Sequence, residues 1–466
     1  MNNPGRRRFL QVLAGAGAGA MATMGGPILR ALANSPDNAN EFFIFIMAVG
    51  GWDVTLWSDP RNEAVGLVNP AATDNTDVAV LPDQDLWKPV ALDANIDTFD
   101  FVKPAGKSPL VFGPGIGRLV DHYDRICLVN GLAMNTVSHP DGRSFSATGR
   151  HLAGGHPAAS SIDTMMANEL GVTQTLPNVS ILFPSSYVGS QLDPRAAPLL
   201  VDQVGTIGKS LSRSQLYDTS DDRSRVTNAL AAEATDLAAL ANDPRALQAM
   251  ALQYGALKRM LDPMVQPTFS AAALQVKQPD FFKYNGYKPR FQADAATDAA
   301  FAVQAMSLPT PLVRCVSFTL NGFDTHNANY QFHLQCLQEG MNVIANLVTV
   351  LDKTPHPLLA GHMLSEHTHI VVMSDFCRTP QINIAGGRDH YPNNSALVIS
   401  PRFKRNFVFG STDHDQVLPA DQPGFADGPR PIGPPDLLRT FVSAFGIDPG
   451  KYIRDGQVVP ALLAGS

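Results

Sequence analysis

The chain has 466 residues, of which 44% are hydrophobic, and its 35 basic and 42 acidic side chains give a formal net charge of −7. This acidic balance argues against a nucleic-acid-binding protein, because such proteins need a clustered basic face that releases counterions. The hydrophobic content is sufficient for a large buried core, and no internal repeat is visible.

Residues 1–33 have the pattern of a twin-arginine (Tat) export signal. Arg6-Arg7-Arg8-Phe9-Leu10 precedes a Gly- and Ala-rich apolar run, and Ala31-Leu32-Ala33 has the small-x-small pattern of a cleavage site. The run at 12–24 is shorter than the roughly 20 apolar residues of a membrane-spanning helix. We expect the Tat translocase to export the folded chain, which becomes periplasmic or extracellular with no stable membrane span. Cleavage removes four arginines and no acid, so the mature net charge is −11.

The four cysteines show no Cys-x-x-Cys pairing and no spacing typical of a zinc site or a disulfide framework. A protein that Tat exports folds in a reducing compartment, so disulfides are not needed for folding. We expect buried free thiols at Cys127, Cys315 and Cys336.

Four apolar runs predict the strands of a largely parallel α/β sheet, at 42–49, 125–130, 313–320 and 370–373. The run at 42–49 is continuous rather than alternating, which is typical of a strand buried on both faces. A short helix is predicted at 115–123 and an amphipathic helix at 330–351, so strands alternate with helices. We expect one domain over 34–466.

Two segments are predicted to be insertions into this domain. The polar, Pro- and Asp-rich stretch at 58–108 is typical of a loop. Near 200–300, the Ala- and Leu-rich part at 222–262 predicts one or two long helices, broken near Asp243-Pro244.

Acidic residues follow three of the predicted strands, at Asp53, Asp324 and Asp375. Ligands bind outside the carboxyl ends of parallel strands, and clustered carboxylates repel one another without a cation. Asp324 and His326 lie two apart, on one side of an extended segment, and a glycine-rich loop adds a further acid and imidazole. The sequence therefore predicts metal ligands among Asp53, Asp324, His326, Asp375, Asp389 and His390.

The polar segment at 130–150 supplies hydroxyl candidates for a nucleophile or an oxyanion contact, namely Thr136, Ser138 and Ser144. A helix that begins at Ser144 would place this hydroxyl near backbone amides, where it either contacts an anion or acts only as an N-cap. Three further histidines precede the last predicted strand, at the end opposite Asp375. We expect a solvated strand entrance rather than a metal site at His362, His367 and His369.

Short motifs extend over nearly the whole mature chain, among them Gly50-Gly51-Trp52-Asp53, Val129-Asn130-Gly131, Phe323-Asp324-Thr325-His326, 374–380 and Gly386-Gly387-Arg388-Asp389-His390. In these motifs and in its order of elements, the chain resembles the Tat-exported domain-of-unknown-function family 1501 of the alkaline phosphatase and sulfatase superfamily. The resemblance implies an α/β, alkaline-phosphatase-like sandwich: a mainly parallel central sheet flanked by helices, plus helical and loop insertions.

The resemblance also implies roles for site residues. Asp324, His326 and His390 would form the three-ligand half of a two-metal site, with Asp53 and Asp375 in the other half. Arg143 or Arg378 would hold the anion, since a guanidinium matches a phosphate or sulfate. Ser144 or a neighbouring hydroxyl would attack or hold the ester.

The chain departs from the superfamily pattern at Phe376, in the shorter spacing between Asp324 and His326, and at the sulfatase nucleophile position. Phe376 stands where superfamily phosphatases carry His, and three outcomes stay open: the second metal is weak or absent, Cys377 or His139 replaces this imidazole, or the site is vestigial. Thr148-Gly149-Arg150 resembles the end of the sulfatase motif, with Arg143 in register, but the nucleophile position then falls on His139, which argues against a formylglycine enzyme.

Three functions follow as hypotheses. The first is an exported metal-dependent hydrolase of small anionic phosphate or sulfate esters, with zinc, manganese, iron, magnesium or calcium as the divalent cofactor. The second is a non-catalytic binding or assembly protein that keeps the fold and a structural metal. The third, a metal-free serine hydrolase, lacks the Gly-x-Ser-x-Gly motif.

Overall fold

The computed structural model describes residues 38–60, 102–189, 192–211, 264–283, 289–413 and 416–465, with the single positions 225, 228, 259 and 262. The export signal predicted at 1–33 and most of the loop predicted at 58–108 lie outside the described residues. Almost all of the helical segment predicted at 222–262 also lies outside them.

A mainly parallel sheet forms the centre of the described structure. The strands are β1 (Phe42–Ala48), β2 (Ile126–Val129), β3 (Asn178–Ile181), β4 (Leu199–Val201), β5 (Cys315–Leu320), β6 (Thr368–Ser374), β7 (Cys377–Arg378), β8 (His390–Tyr391), β9 (Ala396–Ile399) and β10 (Phe407–Phe409). Eight of them form one sheet in the order β10-β2-β9-β6-β1-β5-β3-β4, and β7 pairs with β8 in a separate ribbon. Strands β6, β1, β5, β3 and β4 are parallel, while β9 is antiparallel to β6 and β2.

Strand β1 is buried on both faces, as its continuous apolar sequence predicts. Successive side chains of a strand point to opposite faces. Ile44 and Ile46 accordingly pack in one hydrophobic core, and Phe43 and Phe45 pack in the other.

Helices cover both faces of the sheet. The described α-helices are α1 (His139–Thr148), α2 (Ile162–Leu170), α3 (Val204–Leu211), α4 (Ala271–Lys277), α5 (Ala293–Ser307), α6 (Asn329–Lys353) and α7 (Pro434–Ser443). A 3₁₀ segment at Pro114–Arg125 packs with α5 and α6 in the core on one face, whereas α2 and α7 contribute to the core on the other. Shorter 3₁₀ turns lie at Val54–Leu56, Pro194–Ala196, Gln266–Phe269, Pro279–Phe282, Leu364–Glu366, Pro449–Lys451 and Pro460–Leu462.

The structure confirms a mixed α/β fold with a large, mainly parallel sheet flanked by helices. The four predicted strands correspond to β1, β2, β5 and β6, and the predicted helix at 330–351 corresponds to α6. All four cysteines are buried free thiols. No helix within the described ranges has both the length and the apolar character needed to cross a membrane.

Helix α1 begins at His139 rather than at the predicted Ser144. Pro140 lies in its first turn, where the N–H group that proline lacks would have no helical partner. The earlier start places an imidazole at the N-terminus of the helix and leaves Ser144 in its interior.

Candidate metal centre

Three imidazoles and one carboxylate converge beyond the carboxyl ends of the central strands. Asp324 and His326 lie in the loop after β5, His139 begins α1, and His390 begins β8. The Nε2 atoms of His326 and His390 are 2.9 Å apart. Asp324 Oδ1 lies 3.1 Å from Nε2 of His326, 3.4 Å from that of His139 and 3.6 Å from that of His390.

Close backbone packing brings these loops together. Gly50 follows β1 with a φ of +115°, a conformation that side chains with a Cβ rarely adopt. A Cβ at this position would lie 2.5 Å from the backbone nitrogen of Asp324. The glycine of the first motif therefore allows the loop after β5 to approach the end of β1.

In each of the three imidazoles, Nδ1 faces a hydrogen-bond acceptor. The pairs, each at 2.7 Å, are His139 with Asp375 Oδ2, His326 with Asp389 Oδ1, and His390 with the carbonyl oxygen of Val137. Carbonyl and carboxylate oxygens accept, so Nδ1 donates and the Nε2 lone pair points into the cluster. The same arrangement orients histidines that bind metals, whose second nitrogen donates to a carboxylate or carbonyl.

The four inward-facing atoms suit a cation. Lone pairs on His326 and His390 would repel each other at 2.9 Å unless a cation or a proton lay between them. Nε2 of His139 is buried and has no hydrogen-bond partner within the described structure. Three imidazole nitrogens and one carboxylate oxygen are typical ligands of zinc, iron or manganese, so the residues fit such an ion.

The local charges favour the protonation states that a metal needs. Burial lowers the pKa of His390, and the positive charge of Arg378 lowers it further, outweighing the hydrogen bond to Val137. Burial alone would raise the pKa of Asp324, but the hydrogen bond and charge of Arg378 outweigh it and lower the pKa. At neutral pH the cluster therefore offers a neutral imidazole and an anionic carboxylate.

Asp375 and Asp389, both predicted as ligands, lie behind the imidazoles. Asp375 is fully buried, and its Oδ2 accepts hydrogen bonds from His139 and Arg143 and from the backbone nitrogen of Gly50. Asp389 is half-exposed and accepts from Nδ1 of His326. In the structure these acids orient two imidazoles rather than face the centre of the cluster.

Asp53 makes its contacts away from the imidazoles. Its Oδ2 lies 3.0 Å from Nη1 of Arg388, and its Oδ1 accepts from both the backbone nitrogen and the hydroxyl of Thr55. Both members of the ion pair are fully buried. The sequence placed Asp53 at the correct end of β1 but contained no sign that an arginine more than 300 residues away would neutralise it.

Arg378 is an internal support of the cluster and not a free anion clamp. Its Nε donates to the carbonyl of Gly51, and its Nη1 donates to that of Arg388 and lies 3.4 Å from Nε2 of His326. Its Nη2 donates to the carbonyl of Gly50 and to Asp324 Oδ1, the latter at 2.5 Å. The guanidinium is fully buried. Its donors are used within the protein, so it holds Asp324 rather than a ligand.

Arg143 is the arginine with donors available to a ligand. Its Nε lies 3.1 Å from Asp375 Oδ2, and 34% of its side chain is exposed. In the part of the chain that the structure describes, its two terminal nitrogens make no hydrogen bond. Arg143 is therefore the candidate anion contact at the edge of the cluster.

The predicted hydroxyl and thiol candidates are held elsewhere. Ser144 is buried, and its hydroxyl donates to the carbonyl of Arg150 at 3.1 Å, so it does not face the cluster. Cys377 is also buried, its thiol contacts the carbonyl of Arg378, and burial raises its pKa well above the ordinary value. Thr136 accepts a hydrogen bond from the backbone nitrogen of Ser138.

Phe376 closes one side of the cluster. Its ring centroid lies 4.8 Å from that of His139 and 4.7 Å from that of His390. The phenyl ring therefore packs against two of the imidazoles. Of the two replacements for the missing histidine that the sequence suggested, His139 joins the cluster and Cys377 does not.

Sequence reasoning missed His333, a fully buried residue of α6. Its Nε2 accepts a hydrogen bond from the backbone nitrogen of Asp53 at 2.7 Å, and its Nδ1 lies 2.8 Å from the hydroxyl of Thr325. Burial, with the charges of Arg378 and Arg388, lowers its pKa well below the ordinary value. His333 thus ties the loop after β1 to the loop after β5, and only its place within an amphipathic helix was visible in the sequence.

At the opposite end of β6, where a solvated strand entrance was expected, solvent exposure is high at His362, partial at His367 and absent at His369. His362 is exposed. His369 is fully buried, with Nε2 2.7 Å from Glu41 Oε2 and Nδ1 2.7 Å from the hydroxyl of Ser400. Glu41, just before β1, and Ser400, just after β9, are the hydrogen-bond partners of this imidazole. The local sequence of β6 does not reveal them.

Fold and site together describe a mixed α/β protein with a histidine-rich candidate metal centre at one edge of a mainly parallel sheet. The chain belongs to the family described as "Protein of unknown function (DUF1501)", whose match covers residues 42–461. The comparison with curated proteins gave no match. A solved structure described as "Crystal structure of Ps i-CgsB in complex with k-i-k-neocarrahexaose" is 12% identical, with a TM-score of 0.32, over 90% of this chain and 75% of the other.

Proposed function

We propose that this protein is an exported metal-dependent hydrolase of phosphate or sulfate esters, with one divalent cation bound by His139, His326, His390 and Asp324. The observation that carries the proposal is the approach of two Nε2 atoms to 2.9 Å while both Nδ1 atoms donate to acceptors. The two imidazoles would hold a cation through these nitrogens, which would remove the repulsion, and the adjacent carboxylate would supply negative charge for a divalent ion.

Each residue around the cluster has its own role in binding the ester. A bound divalent cation supplies Lewis-acid polarisation of the ester and lowers the pKa of water at the site. The terminal nitrogens of Arg143 bind the oxygens of the phosphate or sulfate group, for which a planar guanidinium is well matched. Asp375 fixes both His139 and Arg143, because both hydrogen bonds end on its Oδ2. Phe376 excludes water from one side of the imidazoles.

Metal content and hydrolysis, measured on the same samples, test this proposal. Plasma mass spectrometry compares the mature protein with an Asp324→Ala/His326→Ala double variant and with His156→Ala, which removes an exposed imidazole outside the cluster. We expect the double variant to hold one transition-metal ion fewer per chain than the other two. Hydrolysis of 4-nitrophenyl phosphate, bis(4-nitrophenyl) phosphate or 4-nitrophenyl sulfate should be lost with it. Unchanged metal content and hydrolysis in the double variant would contradict the proposal.

One observation favours the second function, a non-catalytic binding or assembly protein. Arg378 already neutralises Asp324, with Nη2 at 2.5 Å from Oδ1, so the carboxylate has a cationic partner without a metal. If a metal-loaded sample is inert on all three ester classes, this function becomes the better account.

We also propose that the sheet and its helices form an alkaline-phosphatase-like sandwich and that the Tat translocase exports the protein to the periplasm or the medium. The export proposal rests on the pattern of residues 1–33. Replacing Arg6 and Arg7 with lysine should retain the precursor in the cytoplasm on cell fractionation, whereas Arg30→Lys should not. Equal export of both variants would overturn it.

A further inference from the structure

A second group of metal-ligating side chains lies at the opposite end of β6 from the candidate metal centre. His362 and His367 lie on either side of the 3₁₀ turn Leu364–Glu366, whose last residue is Glu366, directly before the strand. Each offers one ligand atom, and the three atoms lie within 4.8 Å of one another. We call these three residues the amino-end cluster.

The three ligand atoms are arranged around the position of one proton. Nδ1 of His362 lies 3.0 Å from Glu366 Oε2 and 3.2 Å from Nε2 of His367. Nδ1 of His367 faces Glu41 Oε1 at 3.3 Å and donates to it, so that Nε2 of His367 carries a lone pair. A single proton on His362 satisfies all three groups, and a divalent cation in its place would have three ligands.

The backbone around the cluster is fixed by the sheet and the adjoining turn. The nitrogen of Phe42, the first residue of β1, donates to the carbonyl of His367 at 2.7 Å. The carbonyl of His362 accepts from the nitrogen of His356 at 2.8 Å, and that of Leu364 accepts from the nitrogen of His367 at 3.0 Å. The backbone that carries the ligand side chains is therefore fixed by hydrogen bonds and is not a free loop.

Buried groups behind the cluster orient His367. Glu41, which contacts its Nδ1, is itself held by His369 at 2.7 Å and by Arg402 at 3.4 Å. The ring of His356 packs 4.9 Å from that of His367. This is the support by a carboxylate that metal-binding histidines receive in proteins.

We propose that the amino-end cluster is a second metal site, which binds a transition-metal ion of the zinc class through His362, Glu366 and His367. Two imidazoles and one carboxylate favour zinc, cobalt or nickel over magnesium and calcium, which prefer sites made of oxygen atoms. His362 and Glu366 are 51% and 55% exposed, so an ion has direct access and keeps an open position for water. The bound ion stabilises the turn before β6 and does not depend on the proposed hydrolysis.

Cobalt binding to the mature protein tests the second site in the absence of the first. The Asp324→Ala/His390→Ala double variant removes two ligands of the candidate metal centre and serves as the background for a Co²⁺ titration followed by visible absorption. We expect one Co²⁺ per chain in this background, with a raised melting temperature, and no competition from an equal concentration of Mg²⁺. Loss of an outer-shell partner alone costs about 10–100-fold in affinity, so adding His362→Ala should weaken binding by at least about 100-fold.

Two comparisons make the outcome decisive. Glu366→Gln keeps the shape of the side chain and removes its charge, so it should also weaken Co²⁺ binding, whereas the matched His156→Ala change should not. Circular dichroism checks that each variant is folded. If the background binds no Co²⁺, or binds it equally after His362→Ala and Glu366→Gln, the second site is refuted. That result would leave the candidate metal centre untouched, since two of its ligands are absent from every sample in the titration.

Discussion

Replacement of Asp389 by alanine should weaken metal binding at the candidate metal centre and leave the stability of the fold nearly unchanged. The carboxylate accepts from Nδ1 of His326 at 2.7 Å and from the side chain of Asn383 at 3.3 Å. Burial would raise its pKa, but the hydrogen bonds from His326 and Asn383 and the positive charge of Arg378 outweigh it and hold the pKa below the ordinary value. Asp389 is therefore anionic at neutral pH, and its stabilising contribution is lost only as the pH falls through its lowered pKa.

The expected loss of metal affinity is larger than the expected loss of folding stability. Asp389 is 56% exposed, so its pair with His326 contributes at most about 1 kcal/mol to the free energy of unfolding. Without the carboxylate, His326 loses the partner that fixes its tautomer and ring orientation. Such a loss costs about 10–100-fold in metal affinity, or about 1.4–2.8 kcal/mol of binding free energy.

The assay is Zn²⁺ competition with a fluorescent chelator at neutral pH, in the His362→Ala background so that the amino-end cluster does not compete. Asp455→Ala is the matched control, because it also removes one exposed acid, which pairs with Arg150 at 3.6 Å. We expect weaker Zn²⁺ binding after Asp389→Ala and a nearly unchanged melting temperature in both variants. Equal Zn²⁺ affinity in the two variants would refute the orienting role of Asp389.

Three further predictions concern residues of the same site. The lowered pKa of His390 favours its neutral imidazole at neutral pH, so this ligand is lost only as the pH falls through the lowered pKa, and Zn²⁺ affinity measured calorimetrically should fall on acidification. A decline with falling pH that begins already in alkaline solution would contradict this. Ser144→Ala should leave metal content and ester hydrolysis unchanged. It should reduce the free energy of unfolding in urea by about 0.5–1.5 kcal/mol, because it removes only the hydrogen bond to Arg150. Loss of hydrolysis in the folded variant would instead support Ser144 as the nucleophile. Phe376→Ala should reduce the free energy of unfolding by about 3–5 kcal/mol and also weaken Zn²⁺ binding, because the buried ring packs against two imidazoles. A smaller loss of stability in the same urea assay would mean that neighbouring side chains fill the space left by the ring.

The elements of the sheet were accessible to sequence reasoning because burial leaves a local pattern. The continuous apolar run at 42–49 indicates that both faces of β1 are buried, and the amphipathic pattern at 330–351 indicates one buried face of α6. The start of α1 was misplaced by five residues, since Pro140 in the first turn is also compatible with a loop.

The sequence identified only those site residues that lie in short local motifs. Asp324, His326 and His390 lie in short motifs at or near the ends of elements, where ligand atoms collect in parallel sheets, and they were identified. His139 appeared only as a substitute, because its approach to Asp375 joins residues 236 positions apart. The sequence suggested Arg378 as a free anion clamp, because its hydrogen-bond partners come from loops that are distant in the chain.

By itself, the sequence determined the α/β class, the core strands and the candidate ligands at their carboxyl ends, because each depends on residues that are neighbours in the chain. The tertiary structure alone decided which side chains face one another. It paired Asp53 with Arg388 and turned Ser144 toward Arg150. It also placed His139 beside Asp324. These contacts depend on how separate loops pack at the edge of the sheet, and no local pattern of hydrophobicity or charge encodes that packing.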